Sequence, residues 1–341
     1  MYYNLILVLI LFLSYIYYVK SIHLNSIVFE YYDTGLHSQL TNDFNEYSIK
    51  NNLNITLELT MFTNANSTVL ANGDRVTIQS LLSNRSKKYD IYLYILTHAP
   101  EYAEHLMDLK DYISPDVIKM YSSEVFNKTC YINDRLIGFP INFSFSVLYS
   151  NEKLLNKYNC TIPETWDDFL DTLKLITKEE RNPINNNNIS GYTGLFGDDE
   201  GGSNTIYEML YSYRKSEELP YPDLHSPEAK NSLEMLKKIF NEISSNDDFL
   251  TNDGVIASKY YSGRDLFLKY WYMADDSKAF KKTPLPGWKK GISASSLGGT
   301  NIGISMYSDE EKKKAAIEVV KFMISKEEQK RIVMKQKNLM G

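Results

Sequence analysis

The sequence contains few of the residues from which metal cages and disulfide frameworks are built. It has 2 cysteines and 5 scattered histidines in 341 residues, whereas a closed zinc site usually takes about four Cys or His ligands. It also has no surplus of basic charge, because 37 Lys and Arg stand against 43 Asp and Glu, a formal net charge of −6. Nucleic-acid binding depends on cations that neutralise phosphates, so this balance argues against a nucleic-acid partner. No metal and no cofactor is expected.

Motifs for catalysis are also absent. The sequence has no G-x-S-x-G, H-E-x-x-H or G-x-x-x-x-G-K-[ST] pattern, so no nucleophile elbow, zinc-protease helix or phosphate loop is indicated. Asp198, Asp199 and Glu200 lack the ligand spacing of an EF-hand, which favours a solvated turn over a calcium site. Because these motifs are absent, the protein is predicted not to be an enzyme. Glycoside hydrolysis, however, needs only two carboxylates brought together in space, so a secreted carbohydrate-active enzyme is the alternative.

One apolar run opens the chain. Residues Leu5 to Val19 are fifteen uncharged, mostly apolar residues followed by Lys20 and Ser21. A bilayer span takes about 20 apolar residues, so a secretory signal peptide over residues 1–21 fits better, with an uncleaved signal anchor as the alternative. The mature chain then begins near Ile22 and is secreted or lies on the extracellular face of the membrane.

Sequons and cysteines agree with an extracellular location. Seven N-x-S/T sequons occur in the chain. Glycans are predicted on six of these asparagines, namely Asn54, Asn66, Asn84, Asn127, Asn159 and Asn188. Cys130 and Cys160 are expected to form one disulfide in an oxidising compartment, and two free buried thiols are the alternative.

The N-terminal part of the mature chain alternates between strand and helix patterns. Strands are predicted at residues 26–32, 53–60 and 90–95 from β-branched and alternating apolar residues. Apolar residues at steps of three and four predict helices between them, over residues 36–47 and around 76–82. This order implies right-handed crossovers and a mainly parallel sheet, in an α/β fold. Because such sheets bind ligands beyond the carboxyl ends of their strands, the loops after Tyr32, Thr60 and Ile95 form the predicted working edge.

Longer helices dominate after residue 130. Their starts are predicted from capping residues and from proline in the first turn. The predicted starts are Thr165 with Asp168, Ser226 before Pro227, Ser308 with Glu311, and Ser325 with Glu328. Trp166 and Trp288 are assigned to packing, because tryptophan side chains are mostly buried.

Several short segments, taken together in their order along the chain, form a recognisable pattern. They are Asp90-Ile91-Tyr92, Leu136-Ile137-Gly138-Phe139-Pro140, Ile162-Pro163-Glu164-Thr165-Trp166-Asp167-Asp168 and Leu297-Gly298-Gly299-Thr300-Asn301. With these segments the chain resembles the extracellular solute-binding proteins of ABC importers, in particular the maltose-binding-protein-like sugar-binding group. The resemblance implies a two-lobe α/β fold of the periplasmic-binding-protein type II, with hinge strands between the lobes. It also implies that an interlobe cleft closes on a small solute, a carbohydrate, and does no chemistry on it.

The resemblance also assigns the lobes. Lobe 1 is expected to contain residues 22–143 plus about 286–323, and lobe 2 residues 144–285 plus about 324–341. Lobe 2 is expected to be incomplete at its C-terminal end, because the chain stops where the family usually continues. No lipobox cysteine follows the signal, and some eukaryotic chains carry such a module as the ectodomain of a class C, GABA-B-like receptor. The expected partners are therefore a small-molecule ligand and either a transporter or a membrane receptor domain.

The resemblance and the predicted strand ends together indicate the ligand-binding residues. The family's Trp at the position of Trp271 stacks its ring on the sugar face, and core packing is the alternative for this side chain. Asp33 is expected to accept hydrogen bonds from sugar hydroxyls, with an Asx turn as its alternative. The other expected contacts are Tyr32, Asn64, Tyr94, Asn142, Ser144, Gly299 and Asn301. Asn142 is also a sequon, and a glycan there conflicts with a place in a closing cleft.

Overall fold

A computed structural model describes residues 21–30, 35–63, 73–183, 189–198, 200–243, 251, 253–273 and 279–339. The chain divides into two compact units. Unit 1 consists of Met1–Phe143 and Gly299–Gln336, and unit 2 of Ser144–Gly298 and Lys337–Gly341. The second crossing therefore lies after Gly298, later than the position near residue 286 that the resemblance implies. Residues 324–336 also differ, because they belong to unit 1 and not to the second lobe.

Strands and helices alternate through the described residues. In chain order the strands are β1 (Ile22–Phe29), β2 (Ile55–Phe62), β3 (Ile91–Ile95), β4 (Tyr131–Ile132), β5 (Arg135–Leu136), β6 (Phe139–Asn151), β7 (Ser190–Thr193), β8 (Asp265–Trp271), β9 (Phe280–Thr283) and β10 (Leu297–Ile304). The helices are α1 (Leu36–Lys50), α2 (Gly73–Ser83), α3 (Ala99–Tyr102), α4 (Pro115–Tyr121), α5 (Glu124–Cys130), α6 (Glu152–Lys157), α7 (Trp166–Glu180), α8 (Glu200–Tyr211), α9 (Pro227–Ile243), α10 (Asp253–Ser262), α11 (Glu310–Met323) and α12 (Lys326–Leu339).

The sheet of unit 1 has the strand order β2-β1-β3-β10. Strand β1 pairs in parallel with β2 and with β3, which confirms the predicted crossovers through α1 and α2. Strand β10 then adds in antiparallel orientation beside β3, with Asn301 opposite Tyr94. Leu24 of β1, Phe44 of α1 and Val320 of α11 are fully buried in one core. The apolar faces of the two helices therefore pack on this part of the sheet.

The sheet of unit 2 is centred on β6 and β8. These strands pair in antiparallel orientation, with Ser146 opposite Trp271, while β9 also pairs with β6 and β7 lies parallel to β8. Phe169 of α7 and Phe267 of β8 are fully buried in the core of this unit, with ring centroids 4.7 Å apart. Because β6 and β10 both extend from one unit into the other, they are named the crossing strands below.

Three of the four predicted helix starts are capped as expected. In each, the side-chain oxygen of the N-cap accepts a hydrogen bond from a backbone N–H in the first turn, which otherwise lacks a partner. The pairs are Thr165 with Asp168 (3.1 Å), Ser226 with Ala229 (3.2 Å) and Ser325 with Glu328 (3.2 Å).

The fourth predicted cap, Ser308, is wrong. Helix α11 begins after Asp309, whose side chain makes no capping hydrogen bond. The Ser308 hydroxyl instead donates to Oδ1 of Asp90, at 2.8 Å, while Lys312 Nζ donates to Oδ2 of the same carboxylate at 2.9 Å. Asp90 is buried, so the serine is used to satisfy a buried charge and not the helix end.

The two tryptophans assigned to packing differ in their environment. Trp166 is buried in the core of unit 2, and its indole N–H donates to the Ser212 hydroxyl at 2.8 Å, which confirms the prediction. Trp288 is 40% exposed, so its assignment to packing is wrong. Its indole N–H donates to the backbone oxygen of Arg214 at 2.7 Å, and this bond holds the ring at the surface.

Candidate functional site

The predicted ligand-binding residues are divided between the two units. Tyr32, Asp33 and Asn64 lie outside the described residues. Unit 1 contains Tyr94, Asn142, Gly299 and Asn301, and unit 2 contains Ser144 and Trp271. Each group is described within its own unit.

Tyr94 and Asn301 are core residues of unit 1, which corrects their expected role as ligand contacts. Tyr94 is 2% exposed and Asn301 is fully buried. Burial raises the pKa of Tyr94 far above its ordinary value. The Asn301 amide donates to the backbone oxygen of Thr129 at 3.0 Å, and its Oδ1 lies 3.8 Å from the Cys130 thiol. These bonds attach the end of α5 to β10, so the side-chain polar groups of Asn301 serve the fold.

Asn142 and Gly299 contact each other where the crossing strands leave unit 1. The Asn142 side-chain oxygen accepts a hydrogen bond from Thr300 N at 2.8 Å. Gly299 has a φ of +127°, and a Cβ at this position would lie 2.3 Å from the backbone oxygen of Asn142. Glycine at position 299 therefore permits a close approach between the backbones of β10 and β6. The expected contact of Gly299 with a ligand stays a prediction.

Trp271 and Ser144 both lie beside Gly298 in unit 2. Trp271 ends β8 and is partly exposed. Its backbone oxygen accepts a hydrogen bond from the buried Tyr149 hydroxyl at 2.8 Å, which fixes the strand end. A Cβ on Gly298 would lie 3.7 Å from Cη2 and Cζ3 of the indole and 3.6 Å from Cβ of Ser144. Trp271, Ser144 and Gly298 therefore surround one point, which is called the indole site below.

A second pair of aromatic rings lies next to the indole site in sequence and was missed. Phe145 and Tyr272 are stacked with ring centroids 5.0 Å apart and an interplanar angle of 17°, and they are 40% and 45% exposed. Lys282 Nζ lies 5.3 Å from the Tyr272 ring centroid. The pair was not predicted because it depends on the register of β6 against β8. Once Ser146 is known to oppose Trp271, Phe145 must oppose Tyr272.

A buried ion pair lies close to the indole site in the same sheet. Lys269, two residues before Trp271, is 2% exposed, and its Nζ lies 2.6 Å from Oε2 of Glu208 on α8. The other oxygen of this carboxylate accepts hydrogen bonds from the Ser146 hydroxyl and, at 2.7 Å, from Ser296 N. The charges are thus paired inside the unit, where an unpaired charge would be very costly.

The predicted disulfide is not formed, because both cysteines are free thiols. Cys130 is fully buried in the core of unit 1, and burial raises the pKa of its thiol to about 12. Cys160 packs against the core of unit 2. The two residues thus belong to different cores. Both thiols are free, but only Cys130 is buried, so the alternative of two free buried thiols holds for Cys130 and not for the partly buried Cys160. The described sequon asparagines Asn54, Asn84, Asn127 and Asn159 are exposed; their glycosylation stays a prediction.

Among the described residues, no three His, Cys, Asp or Glu side chains come together in a way that could hold a metal ion. None of the helices in the same ranges combines the length and the apolar composition that crossing a bilayer requires. The predicted signal peptide lies almost wholly outside the described residues.

Comparison with known families identifies the class of protein. The family of bacterial extracellular solute-binding proteins matches residues 64–330. This match spans most of the sequence, so the chain belongs to that family. A curated relative, a "Probable ABC transporter-binding protein" of Deinococcus radiodurans, is 22% identical over 266 residues, which are 74% of this chain and 62% of the relative. The chain therefore spans less than two thirds of the length of this relative.

Solved structures with the same fold include proteins with bound sugars and polyols. The maltose-bound MalE3 of T. maritima has a TM-score of 0.72 and 20% identity, and the alignment covers 90% of this chain and 78% of that one. A ribitol complex from Agrobacterium radiobacter K84 has a TM-score of 0.70 and 16% identity over 93% and 80% of the two chains. A D-mannitol complex from Agrobacterium vitis S4 has a TM-score of 0.68 and 17% identity over 92% and 75%. These similarities confirm the predicted two-lobe α/β fold.

Proposed function

We propose that this protein binds a carbohydrate or polyol outside the cytosol and passes it to an ABC-type transporter without altering it. Membership of the solute-binding family supports binding as the activity. The ligands named for structures of similar fold are maltose, ribitol and D-mannitol. The observation that carries the proposal is Trp271, whose partly exposed indole lies beside Gly298 and Ser144.

The indole site has the chemistry that a sugar requires. One face of a pyranose or polyol is lined by C–H groups, and an indole offers a large flat apolar surface that stacks on such a face. Gly298 has no side chain that could fill the space beside the ring. The partly exposed Ser144 hydroxyl can donate to or accept from a sugar hydroxyl. We further propose that Phe145 and Tyr272 extend this aromatic surface toward longer ligands.

The two crossing strands support the expectation that ligand binding is coupled to a hinge motion. Hinges are a few residues that absorb backbone rotation between otherwise rigid bodies. The chain passes between the units at 143/144, 298/299 and 336/337. The first two of these crossings lie within β6 and β10, and glycine occupies both 298 and 299. Residues 1–21 are proposed to export the chain, and the partner is proposed to be a transporter. A membrane receptor domain is the alternative partner carried over from the sequence.

A binding assay with two tryptophan variants tests the proposal. The secreted protein is titrated with maltose, ribitol and D-mannitol by calorimetry and by thermal shift. A ligand at a hundredfold excess over Kd should stabilise the native state by about 2.7 kcal/mol. Trp271→Ala should weaken binding at least tenfold, since a buried aromatic stacking contact contributes about 0.5–1.5 kcal/mol beyond its area. Trp288→Ala removes another partly exposed indole of unit 2 and should leave Kd unchanged.

The same samples decide between binding and catalysis. The ligand is recovered after a long incubation and analysed by mass spectrometry, and it should be chemically unchanged. A hydrolysed or modified sugar would establish the enzyme alternative. No stabilisation of a folded sample by any of the three ligands would refute carbohydrate binding as proposed. Equal effects of the two tryptophan variants on Kd would remove the indole site from the proposal.

A further inference from the structure

Glu208 contacts three separate segments of unit 2 with one carboxylate. Its Oε1 accepts the Ser146 hydroxyl of β6 and, at 2.7 Å, the backbone N–H of Ser296, while Oε2 pairs with Lys269 Nζ of β8 at 2.6 Å. Glu208 itself lies on α8 and is 5% exposed. The hydroxyl of Ser295 reinforces the arrangement, because it lies 3.1 Å from the Ser146 hydroxyl and donates to the Ser146 backbone oxygen at 2.8 Å.

These three segments are the ones that matter for ligand binding. Ser146 lies two residues after the first crossing into unit 2, and Ser296 lies two residues before the second crossing out of it. Lys269 lies two residues before Trp271 on the same strand. The carboxylate therefore joins the unit 2 ends of both crossing strands to the strand that carries the indole. Ser146 N also donates to Ser296 O at 3.3 Å, so the unit 2 ends of the two crossing strands also contact each other directly.

A purely stabilising role does not explain this choice of residues. Taking a carboxylate and an ammonium out of water is expensive, and well-packed apolar residues of similar volume often stabilise a protein as much or more. What apolar residues cannot supply is directional bonding to several groups at once. An ionised carboxylate has several lone pairs to offer, so it can hold a hydroxyl, a backbone N–H and an ammonium in fixed relative positions.

We propose that Glu208 is a positioning residue for ligand binding, which holds the two crossing strands and the Trp271 strand in one fixed arrangement. The proposal rests on the proposed function, because it assumes that the ligand binds at the indole site. It goes beyond that function by naming a residue that touches no ligand and nevertheless sets the affinity. Without this carboxylate, the unit 2 ends of the two crossing strands are no longer held in place. Part of the binding free energy must then be used to order them again.

Another buried carboxylate of the same unit, whose lysine partner is half-exposed, provides a control. Glu180 of α7 is nearly fully buried and pairs with Lys157 Nζ at 2.5 Å and with the Tyr158 hydroxyl at 2.8 Å. Those two partners are adjacent in sequence at the end of α6, where Lys157 is the last helical residue and Tyr158 the C-cap, away from either crossing along the chain. The control variant is Glu180→Met. The test variant is Glu208→Met/Lys269→Met, which keeps roughly the side-chain volume and removes both charges together with the oxygens that accept from the Ser146 hydroxyl and Ser296 N.

Hydrogen exchange of the unliganded full chain is the first readout, because it needs no ligand. Amide exchange in segments 144–147 and 295–299 should be at least tenfold faster in the Glu208→Met/Lys269→Met variant and unchanged in Glu180→Met. Unchanged exchange in both segments would overturn the proposal. If the double variant does not fold, Ser146→Ala removes one of the three contacts by itself. It should accelerate exchange at 144–147 and 295–299 as well, and a failure to do so would equally overturn the proposal.

Titration with maltose, ribitol and D-mannitol is the second readout. For whichever of these the wild type binds, the Kd should rise at least fivefold in the double variant and stay within twofold in Glu180→Met. An equal rise in both variants would mean a general loss of stability and would overturn the positioning role. If the wild type binds none of the three, carbohydrate binding fails as a function. The exchange data then still decide whether Glu208 holds the unit 2 ends of the two crossing strands.

Discussion

Alanine at Gly299 should destabilise the protein far more than alanine at Gly298, although the two glycines are neighbours. Gly299 has a φ of +127°, where L-residues are strained, and an added Cβ would lie 2.3 Å from the oxygen of Asn142 and 2.9 Å from Cα of Phe143. Both of these neighbours are backbone atoms, which cannot rotate away. At Gly298 an added Cβ would meet Ser144 and Trp271 at 3.6 and 3.7 Å, which are ordinary van der Waals distances.

The size of the effect follows from these contacts. A residue other than glycine in this backbone region costs about 1–3 kcal/mol, and overpacking against a fixed neighbour costs about 1–3 kcal/mol more. We therefore expect Gly299→Ala to lower the free energy of unfolding by about 3 kcal/mol or more. For a domain of about 150–250 residues each kcal/mol shifts Tm by about 2–4 °C, so Tm should fall by about 6–12 °C. Gly298→Ala should change the free energy by about 1 kcal/mol or less.

Thermal and urea unfolding followed by circular dichroism measure both variants against the wild type. An unchanged urea m-value would show that the variants alter stability and not the extent of unfolding. Equal shifts for Gly298→Ala and Gly299→Ala, or a loss below about 1 kcal/mol for Gly299→Ala, would refute the reasoning. The backbone of β10 would then not be as close to β6 at Asn142 as the structure has it.

Two further predictions concern titratable groups in unit 1. Burial raises the pKa of Cys130 to about 12. Iodoacetamide at pH 8 should therefore modify Cys160 in the native protein and Cys130 only in urea, as measured by mass spectrometry. Equal labelling of the two cysteines in the native protein would contradict this. Burial also raises the pKa of Tyr121 to about 12, above the value of about 10 in an unfolded chain. The unfolded state therefore loses this proton first, and stability should fall as pH rises from about 10 to about 12. Tyr121→Phe should remove roughly 2 kcal/mol of that fall, measured as urea midpoints at both ends of the range, and an unchanged pH dependence would refute the assignment.

Local patterns predict the part of unit 1 in which strand and helix alternate along the chain. The periodicities of β1, β2 and β3 and of the helices between them are visible within short windows, so their parallel pairing could be anticipated. The N-cap of Thr165 is equally local. Strand β10 could not be anticipated as the antiparallel neighbour of β3, because the two are about 200 residues apart along the chain. Pairing over such a separation leaves no trace in local periodicity.

The candidate site was predicted less well for the same reason. Asn301 and Tyr94 are at the strand positions expected of them, but both are buried. Asn301 bonds to Thr129 and Cys130 of α5, and Tyr94 packs edge-on against Tyr102. Ser308 has the spacing of a cap, yet its hydroxyl is used by the buried Asp90. Trp271 could be named from the sequence because the resemblance points to its position. Its contacts with Gly298 and Ser144 required the structure.

The split of unit 1 into two chain segments affects the order in which its strands can pair during synthesis. Residues 144–298 of unit 2 are contiguous, whereas unit 1 needs β10 and α11 from beyond residue 298. During synthesis, β3 emerges long before β10 and has an unpaired edge until all of residues 144–298 have followed. Such an edge can pair with a strand of another nascent chain, and contacts between distant residues also form slowly. The insertion of unit 2 therefore leaves the first part of the chain with an open sheet edge that must be protected from other strands until β10 has been made.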